Sequence, residues 1–287
     1  MLYTQIRAFD AVARAGSFVR AADLLGLSQP AVSAQVRALE TTYGVKLFQR
    51  SGRTIQLTAS GKELLELTRR FITLEDQMRE TLTSGRELGM GSLKIAFDGP
   101  HIAIPLVVRF RAEHPRIDLV VSMGNTRSVR QQLLDREVDL AVLPRIERER
   151  RVHARPLKRH HAVVIVSTRH AWAGRRSIAV RDLAGQPMVA REAGSNTQRC
   201  VDEGLSQAGV SPHTVLRLGS REAVKEAVAS DLGFAIVWDE EARGENRLHA
   251  MRLTGADITS TDYLACLKDN LHRRSVAAFF KLAEENG

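Results

Sequence analysis

The segment from Ser17 to Glu40, SFVRAADLLGLSQPAVSAQVRALE, constrains this chain more than any other. Ser17 is a hydroxyl N-cap, and Phe18, Ala21, Ala22, Leu24 and Leu25 recur at helical spacing until Gly26, a residue that tolerates the positive φ of a helix end. Leu27 is expected to tuck into the turn. Ser28 then caps a second helix, with Pro30 in its first turn, where a missing N–H costs nothing. Val32, Val36 and Leu39 fall at i, i+4 and i+7 and face a core, so Pro30, Ser33, Ala34 and Arg37 look outward. Two short helices joined by a tight turn, the second with small and polar side chains outside, suit a DNA major groove. The residues placed to touch DNA are Ser28, Gln29, Pro30, Ser33, Ala34, Gln35 and Arg37, the two glutamines and Ser33 at base edges and Arg37 at a phosphate or guanine. The alternative, a solvated helical hairpin, does not require turn, caps and outer face to agree in this way.

The flanks supply supporting parts. Leu2, Ile6, Phe9, Val12 and Ala13 predict a third helix packed behind the pair. Val45, Leu47 and Phe48, then Ile55 and Leu57, form two short apolar runs around Arg50-Ser51-Gly52-Arg53, which predicts a wing with Arg50 and Arg53 at the phosphate backbone. After Thr58, a potential cap, Leu64, Leu67, Phe71, Leu74, Met78 and Leu82 recur at spacings of three and four. That stripe predicts one long helix, weakened at Gly85 and Gly89, with a second copy of the chain as its partner. Two copies of one reading helix require an inverted-repeat site on double-stranded DNA.

From Ser92 strands and helices alternate. Strands are expected at Leu93–Phe97, Ile117–Met123, Val138–Leu143, Ala162–Thr168, Pro187–Ala190, Val215–Leu218 and Leu232–Val237. Helices are expected at His101–His114, Thr126–Arg136, Thr197–Ala208 and Arg221–Ser230. This rhythm predicts open, mostly parallel sheets flanked by helices. The basic run between Glu147 and His161 is read as a crossover between two lobes, and Asp262–Lys268 and Ser275–Glu284 as a return to the first.

Open α/β sheets bind ligands at strand ends and helix starts. Four loops qualify: Asp98 to His101, Gly124 to Thr126, Gly194 to Thr197, and Gly219 to Arg221. Their backbone N–H groups, with Ser195, Thr197 and Ser220 as hydroxyl donors and Arg145 as a guanidinium, suit an oxyanion. The candidate effector residues are Asp98, His101, Asn125, Thr126, Arg145, Ser195, Asn196, Thr197, Ser220 and Arg221. The hydroxyls also serve as plain N-caps in many helices, and Asp98 is either a turn-former or the partner of a ligand cation. With both an anion site near Ser195 and a carboxylate at Asp98, the effector would be a small zwitterion. For His101, His160, His161 and Trp238 packing is the commoner role of a lone histidine or aromatic in this setting.

The 287 residues, 44% hydrophobic, are enough for more than one domain, and the formal charge of +9 favours a polyanionic partner. No apolar run reaches membrane-span length and the N-terminus lacks an export pattern, so no membrane partner and a cytoplasmic location are expected. Cys200 and Cys266 are far apart, which points to neither a disulfide framework nor a zinc site. No nucleophile elbow, metalloprotease motif or phosphate loop occurs, so an enzyme is not expected. A transport solute-binding protein would fit the second half alone.

From Met1 to about Gly61 the chain resembles the winged helix-turn-helix of LysR-type transcriptional regulators. The resemblance is carried by Ala21-Ala22-Asp23-Leu24-Leu25, the run Leu27 to Ser33, Leu39-Glu40, Gly44, Leu47-Phe48, Arg50, Arg53 and Leu57-Thr58, with Ser60 in place of the family's usual alanine. It implies an α/β chain overall with a DNA-binding domain over 1–58, a linker and dimerisation helix over 59–90, and an effector-binding domain over 91–287. That domain would resemble periplasmic binding proteins, with lobe I at about 91–161 and 265–287 and lobe II at about 162–264. Tetramers are common in the family. The runs Gly124-Asn125-Thr126, Arg191 to Ser195 and Gly219 to Ala229 resemble the subgroup associated with 2-aminoethylphosphonate catabolism, which implies that zwitterion as effector and no other cofactor. An amino acid or organic acid is the alternative ligand.

Overall fold

The computed structural model describes residues 1–51, 54–82, 91–144, 146 and 149–285. It divides into two units, Met1–Thr83 and Ser84–Gly287.

The first unit runs α1 (Tyr3–Ala15), α2 (Phe18–Leu25), α3 (Gln29–Tyr43), β1 (Phe48–Ser51), β2 (Thr54–Leu57) and α4 (Ala59–Leu82). The predicted caps form: Ser17 accepts from the Arg20 N–H and Ser28 from the Ala31 N–H, while Gly26 takes a φ of 64° to stop α2. Ala21 and Ala22 let α2 approach α1 and α3 closely, and Val32 and Val36 of α3 complete the same core. Leu24 and Leu27 depart from the expectation, being 72% and 51% exposed. The packed face of α2 is Phe18, Ala21, Ala22 and Leu25, and Leu24 lies off it; Leu27 follows the left-handed glycine and faces solvent. Leu2 is likewise exposed, because it caps α1 from outside instead of packing within it.

The wing is held to α3 by one carboxylate. Glu40 accepts hydrogen bonds from the Leu47 N–H at 2.8 Å and the Phe48 N–H at 3.3 Å, and pairs with Lys46 at 3.1 Å. Burial works to raise its pKa, but these donors outweigh it and hold the carboxyl below its ordinary value. Thr58 starts α4 by accepting from the Gly61 N–H at 3.1 Å. A Cβ on Gly61 would lie 2.2 Å from the Leu47 carbonyl oxygen, so only glycine lets the wing sit on this first turn.

Helix α4 has two faces. Leu65 is buried with Phe9, Leu39 and Leu47, and Thr68 donates to Asp10 of α1 at 3.1 Å. On the other side Leu67, Phe71, Leu74, Met78 and Leu82 form an exposed apolar stripe.

The second unit begins with β3 (Gly91–Phe97), α5 (Pro100–Glu113), β4 (Ile117–Met123), α6 (Thr126–Leu134), β5 (Leu140–Pro144) and β6 (Val152–Ser167). It continues with β7 (Ser177–Ala179), β8 (Pro187–Arg191), α7 (Asn196–Gln207), β9 (His213–Leu218), α8 (Arg221–Ala229), β10 (Ala235–Trp238), β11 (Leu248–Thr254), β12 (Thr259–Leu267) and α9 (Arg274–Glu284). Eight strands form one sheet in the order β4-β3-β5-β12-β6-β11-β7, with β10 also on β6; β8 and β9 pair separately. Pairing is parallel at β3–β4, β3–β5, β11–β7 and β8–β9, but β12 runs antiparallel to β5 and β6, and β10 and β11 run antiparallel to β6.

The sheet is therefore mixed, where sequence alternation predicts mostly parallel pairing. The reason lies in β6, whose first half pairs with β12 in one lobe and whose second half pairs with β10 and β11 in the other. The basic run expected to be a crossover is thus itself a strand from Val152 onward. Its charges hid it, because Arg155, Lys158 and Arg159 interrupt the apolar pattern on which a strand is recognised. Lobe I packs Phe110 and Phe279 at 5.0 Å between rings, with Leu93, Ile95 and Leu140 beneath α5 and α9. Lobe II packs Val164, Phe234, Ile236, Trp238 and Met251.

Candidate functional site

The reading helix α3 presents Gln29, Pro30, Ala34 and Arg37 as exposed, with Ser28 exposed at its cap and Ser33 half-buried beside them. Gln29 donates to the Ser33 hydroxyl at 2.8 Å, which presents the two as one polar unit at the start of the helix. Gln35 turns the other way and accepts from Thr4 of α1 at 3.2 Å, so it braces α1 against α3. Wing pairing places Arg50 opposite Ile55. Arg53 lies outside the described residues.

In the second unit the starts of α6 and α7 face one another across the gap between lobes. Asn125 caps α6 by accepting from the Ser128 N–H at 3.0 Å, and Ser195 caps α7 by accepting from the Gln198 N–H at 3.3 Å. They close to contact at one side, where a Cβ on Gly194 would stand 3.2 Å from the Asn125 amide nitrogen. Beside that contact lies a cleft of about 530 Å³ bordered by Thr126, Arg127, Arg130, Gln131, Gly194, Ser195, Asn196 and Arg199. Three of these are arginines and none is acidic. Two positive helix ends and the Arg127 and Arg130 side chains give this cleft a positive border, on which Arg199 is paired with Glu203 at 2.6 Å.

Of the sequence candidates, Thr126, Ser195 and Asn196 border the cleft, with Asn125 adjoining. Thr197 is buried behind them. Asp98, His101, Ser220 and Arg221 are not on the cleft border. Ser220 caps α8 by accepting from the Ala223 N–H at 3.1 Å, and Arg145 lies outside the described residues. Arg127, Arg130 and Arg199 were missed; the signal lay in Arg127 and Arg199, cationic side chains in the first turns of two capped helices, where a cation is otherwise disfavoured.

Asp98 and Arg221 meet in a second, buried cluster. The Asp98 carboxylate accepts from Thr126 Oγ1 at 2.5 Å and stands 4.0 Å from the Arg221 guanidinium. Arg221 also donates to the Asp98 carbonyl and pairs with Glu241 at 2.5 Å. The sequence leaves Asp98 open as a turn-former or the partner of a ligand cation and names Arg221 as an effector candidate; in the structure the two residues engage each other across the lobes. Burial and then the nearby Asp262 carboxylate push the Asp98 carboxyl up to about 7, against the opposing pull of Arg221 and Thr126.

Next to Asp98 stand His101, His160 and Asp262. His160 and Asp262 share one sheet face, because His160 pairs with Ser260 and Asp262 is two residues further along β12. His160 Nε2 is 3.3 Å from Asp262 Oδ2, and Nδ1 is 3.7 Å from Asp239 Oδ1. The His101 ring meets His160 edge-on, with centroids 5.5 Å apart, and Trp238 lies 6.3 Å beyond. Burial works to lower both imidazole pKa values. It prevails at His101, whereas Asp262 and Asp239 outweigh it and hold His160 above its ordinary value.

Two family models cover nearly all of the chain: a bacterial regulatory helix-turn-helix protein of the lysR family over residues 3–62, and a LysR substrate binding domain over residues 86–287. The chain belongs to the LysR family. As a LysR-type protein it is a DNA-binding transcriptional regulator with a small-molecule effector domain, not an enzyme. It is 37% identical over 235 residues to the RuBisCO operon transcriptional regulator of Allochromatium vinosum, covering 81% of this chain and 78% of that one. It is 30% identical over 289 residues to the regulator CbbR of Rhodospirillum rubrum, covering 97% and 95%.

Solved structures agree on the fold. A full-length cysteine-to-aspartate variant of OxyR from Pseudomonas aeruginosa superposes with a TM-score of 0.80 at 22% identity, covering 99% of this chain and 95% of that one. CbnR in complex with its target DNA gives 0.69 at 21% identity over the whole of both chains. The Synechocystis CcmR regulatory domain, in complex with 2-PG, gives 0.64 at 24% identity, covering 69% of this LysR-type chain and 98% of that domain. Among the described residues no helix is long and apolar enough to cross a membrane.

Proposed function

We propose that this regulator is controlled by a small oxyanion bound between the N-termini of α6 and α7, and that its target is an operon of the kind its RuBisCO-operon relative serves. The observation that carries the anion is the composition of the cleft: Arg127 and Arg130 beside two capped helix starts, with Arg199 paired to Glu203 and no carboxylate on the border itself. Phosphorylated and carboxylated metabolites share that chemistry, and the 2-PG complex of the CcmR domain is consistent with it.

The resemblance to the 2-aminoethylphosphonate subgroup supports a phosphonate head in the same cleft. Its amine finds no carboxylate on the cleft border, since Asp98 is turned to Thr126 and Arg221, and neither relative named above is a phosphonate regulator. A purely anionic effector is therefore the favoured reading over that zwitterion.

The exposed stripe of Leu67, Phe71, Leu74 and Met78 supports a homodimer joined through α4, which would set two α3 helices on an inverted repeat, and the DNA-binding family supports a cytoplasmic location. Tetramers would follow from pairing of dimers. Effector binding would bias the angle between lobes and thereby the spacing or bend of the half-sites.

The test is thermal stability of the full chain against 2-PG, phosphonoacetate, 2-aminoethylphosphonate, inorganic phosphate and β-alanine. A ligand at a hundredfold its Kd should stabilise by about 2.7 kcal/mol, and Arg130→Ala should remove that shift. Stabilisation by 2-aminoethylphosphonate alone would restore the zwitterion reading. No shift with any anion would remove the cleft as an oxyanion site.

A further inference from the structure

His160 is fully buried, yet neither of its ring nitrogens makes a well-formed hydrogen bond, and Nε2 of His101 is buried in the same condition. Three such imidazole nitrogens at one point require a physical explanation, because each loses its water on folding and those of His160 gain only long or misaligned carboxylate contacts in return. One ligand atom from each of His101, His160 and Asp262 lies within 4.8 Å of the others. We propose that His101, His160 and Asp262 hold a divalent transition-metal ion of the zinc class, at the junction of α5 with the strands β6 and β12 that cross between lobes.

Four features support this assignment. The first is the donor set: two imidazoles and one carboxylate are the three-protein-ligand pattern of zinc sites that keep a further position for water or ligand. The second is spacing. Metal–nitrogen and metal–oxygen bonds of about 2.0–2.1 Å at tetrahedral angles separate neighbouring donors by roughly 3.3–3.4 Å, and His160 Nε2 to Asp262 Oδ2 is 3.3 Å.

The third is the outer shell. Asp239 approaches the other His160 nitrogen at 3.7 Å, the arrangement in which a carboxylate orients a metal-bound imidazole. The fourth is charge. Asp98, Asp239, Glu241 and Asp262 converge here, while Arg221 is already engaged by Glu241 and Asp98, and Lys158 by Glu240 at 2.6 Å. A bound dication would offset the remaining negative charge. Gly99 leaves the room, since a Cβ there would stand 3.2 Å from His101 Cε1 and 3.7 Å from Asp262 Oδ2.

The ion would pin the start of α5 in lobe I to the crossing strands, with Trp238 and Asp239 of lobe II against the His160 ring. Its occupancy would thereby act on the hinge about which the lobes move. This proposal stands apart from the anion cleft, because none of its three ligands borders that cleft.

The experiment uses tag-free full-length protein, dialysed against EDTA and freed of chelator, then titrated with Zn²⁺ by calorimetry and with Co²⁺ by visible absorption. The expected result is one ion per chain, a Co²⁺ d–d band of the low-coordinate type, and displacement of Co²⁺ by Zn²⁺. His101→Ala and Asp262→Asn should each abolish the band, and Asp239→Asn should weaken Zn²⁺ by about 10–100-fold. His161→Ala, at the exposed neighbour, should change nothing. Absence of stoichiometric binding by the wild-type chain overturns the proposal whatever the variants do. So does a Co²⁺ band that survives in folded His101→Ala, or one lost equally in His161→Ala.

Discussion

Arg221, the first residue of α8 in lobe II, donates to the backbone carbonyl of Asp98 at the end of β3 in lobe I and at the same time pairs with Glu241. One guanidinium thus joins the lobes and neutralises a buried carboxylate. Its planar fork is needed for both tasks, which an ammonium at the same place does not perform. Arg221→Ala should cost about 3–5 kcal/mol, because it strands Glu241 and Asp98 without their cation. Arg221→Lys should recover only part of this. Urea denaturation of the full chain, followed through the two tryptophans of lobe II, Trp172 and Trp238, is the measurement.

Asp98 should give a pH dependence of unusual sign for a carboxyl. Its pKa rises from 3.8 to about 7 on folding, so between these values the folded chain keeps a proton that the unfolded chain has released. This group therefore lowers stability as pH rises through that window, by about 1.4 kcal/mol per pH unit at the steepest, and the change levels off about one unit above pH 7. Asp98→Asn should remove that slope, so the stability of the variant relative to wild type should climb between about pH 4 and 7. Denaturation midpoints of both proteins in EDTA over that range would show it; parallel profiles would contradict it.

Gly61→Ala should disrupt the junction of wing and linker helix. Alanine normally favours a helix over glycine by about 1 kcal/mol, but here its methyl would collide with the Leu47 carbonyl at 2.2 Å. The clash is with backbone, so relief requires the wing to move. The expected outcome is lower stability of the DNA-binding unit and weaker operator binding, with effector affinity unchanged. Thermal melts and gel-shift titrations of the same preparation separate the two readouts.

Arg37 should contribute to DNA affinity through the phosphate backbone or a guanine edge. Arg37→Ala would, for a phosphate contact, lower the slope of log affinity against log salt by about one for each reading helix engaged. For a guanine contact it would instead relax sequence preference by about 1–3 kcal/mol at one base pair. Salt titrations on cognate and scrambled sites distinguish these outcomes, and unchanged binding on both would place Arg37 outside the interface.

The DNA-binding unit was legible because its determinants are local. Ser17, Gly26, Ser28 and Pro30 act on backbone within a few residues of themselves, and the i, i+4 spacing of Val32 and Val36 fixes which face is buried. The starts of α6 and α7 were legible for the same reason, through Asn125 and Ser195 as caps. That these helices face one another across an arginine-lined cleft was not, since their approach depends on how two lobes pack.

The hinge was decided by tertiary structure alone. His160 and Asp262 become neighbours through strand register, and a shift of one residue would turn His160 to the opposite face. Asp98 and Arg221 each carried a ligand role at a loop in the sequence, yet the packing of the lobes buries Asp98 and brings Arg221 to it. Local hydrogen bonding and periodicity fixed the elements and the DNA-reading face. Desolvation and long-range pairing decided which charges face a ligand and which face each other.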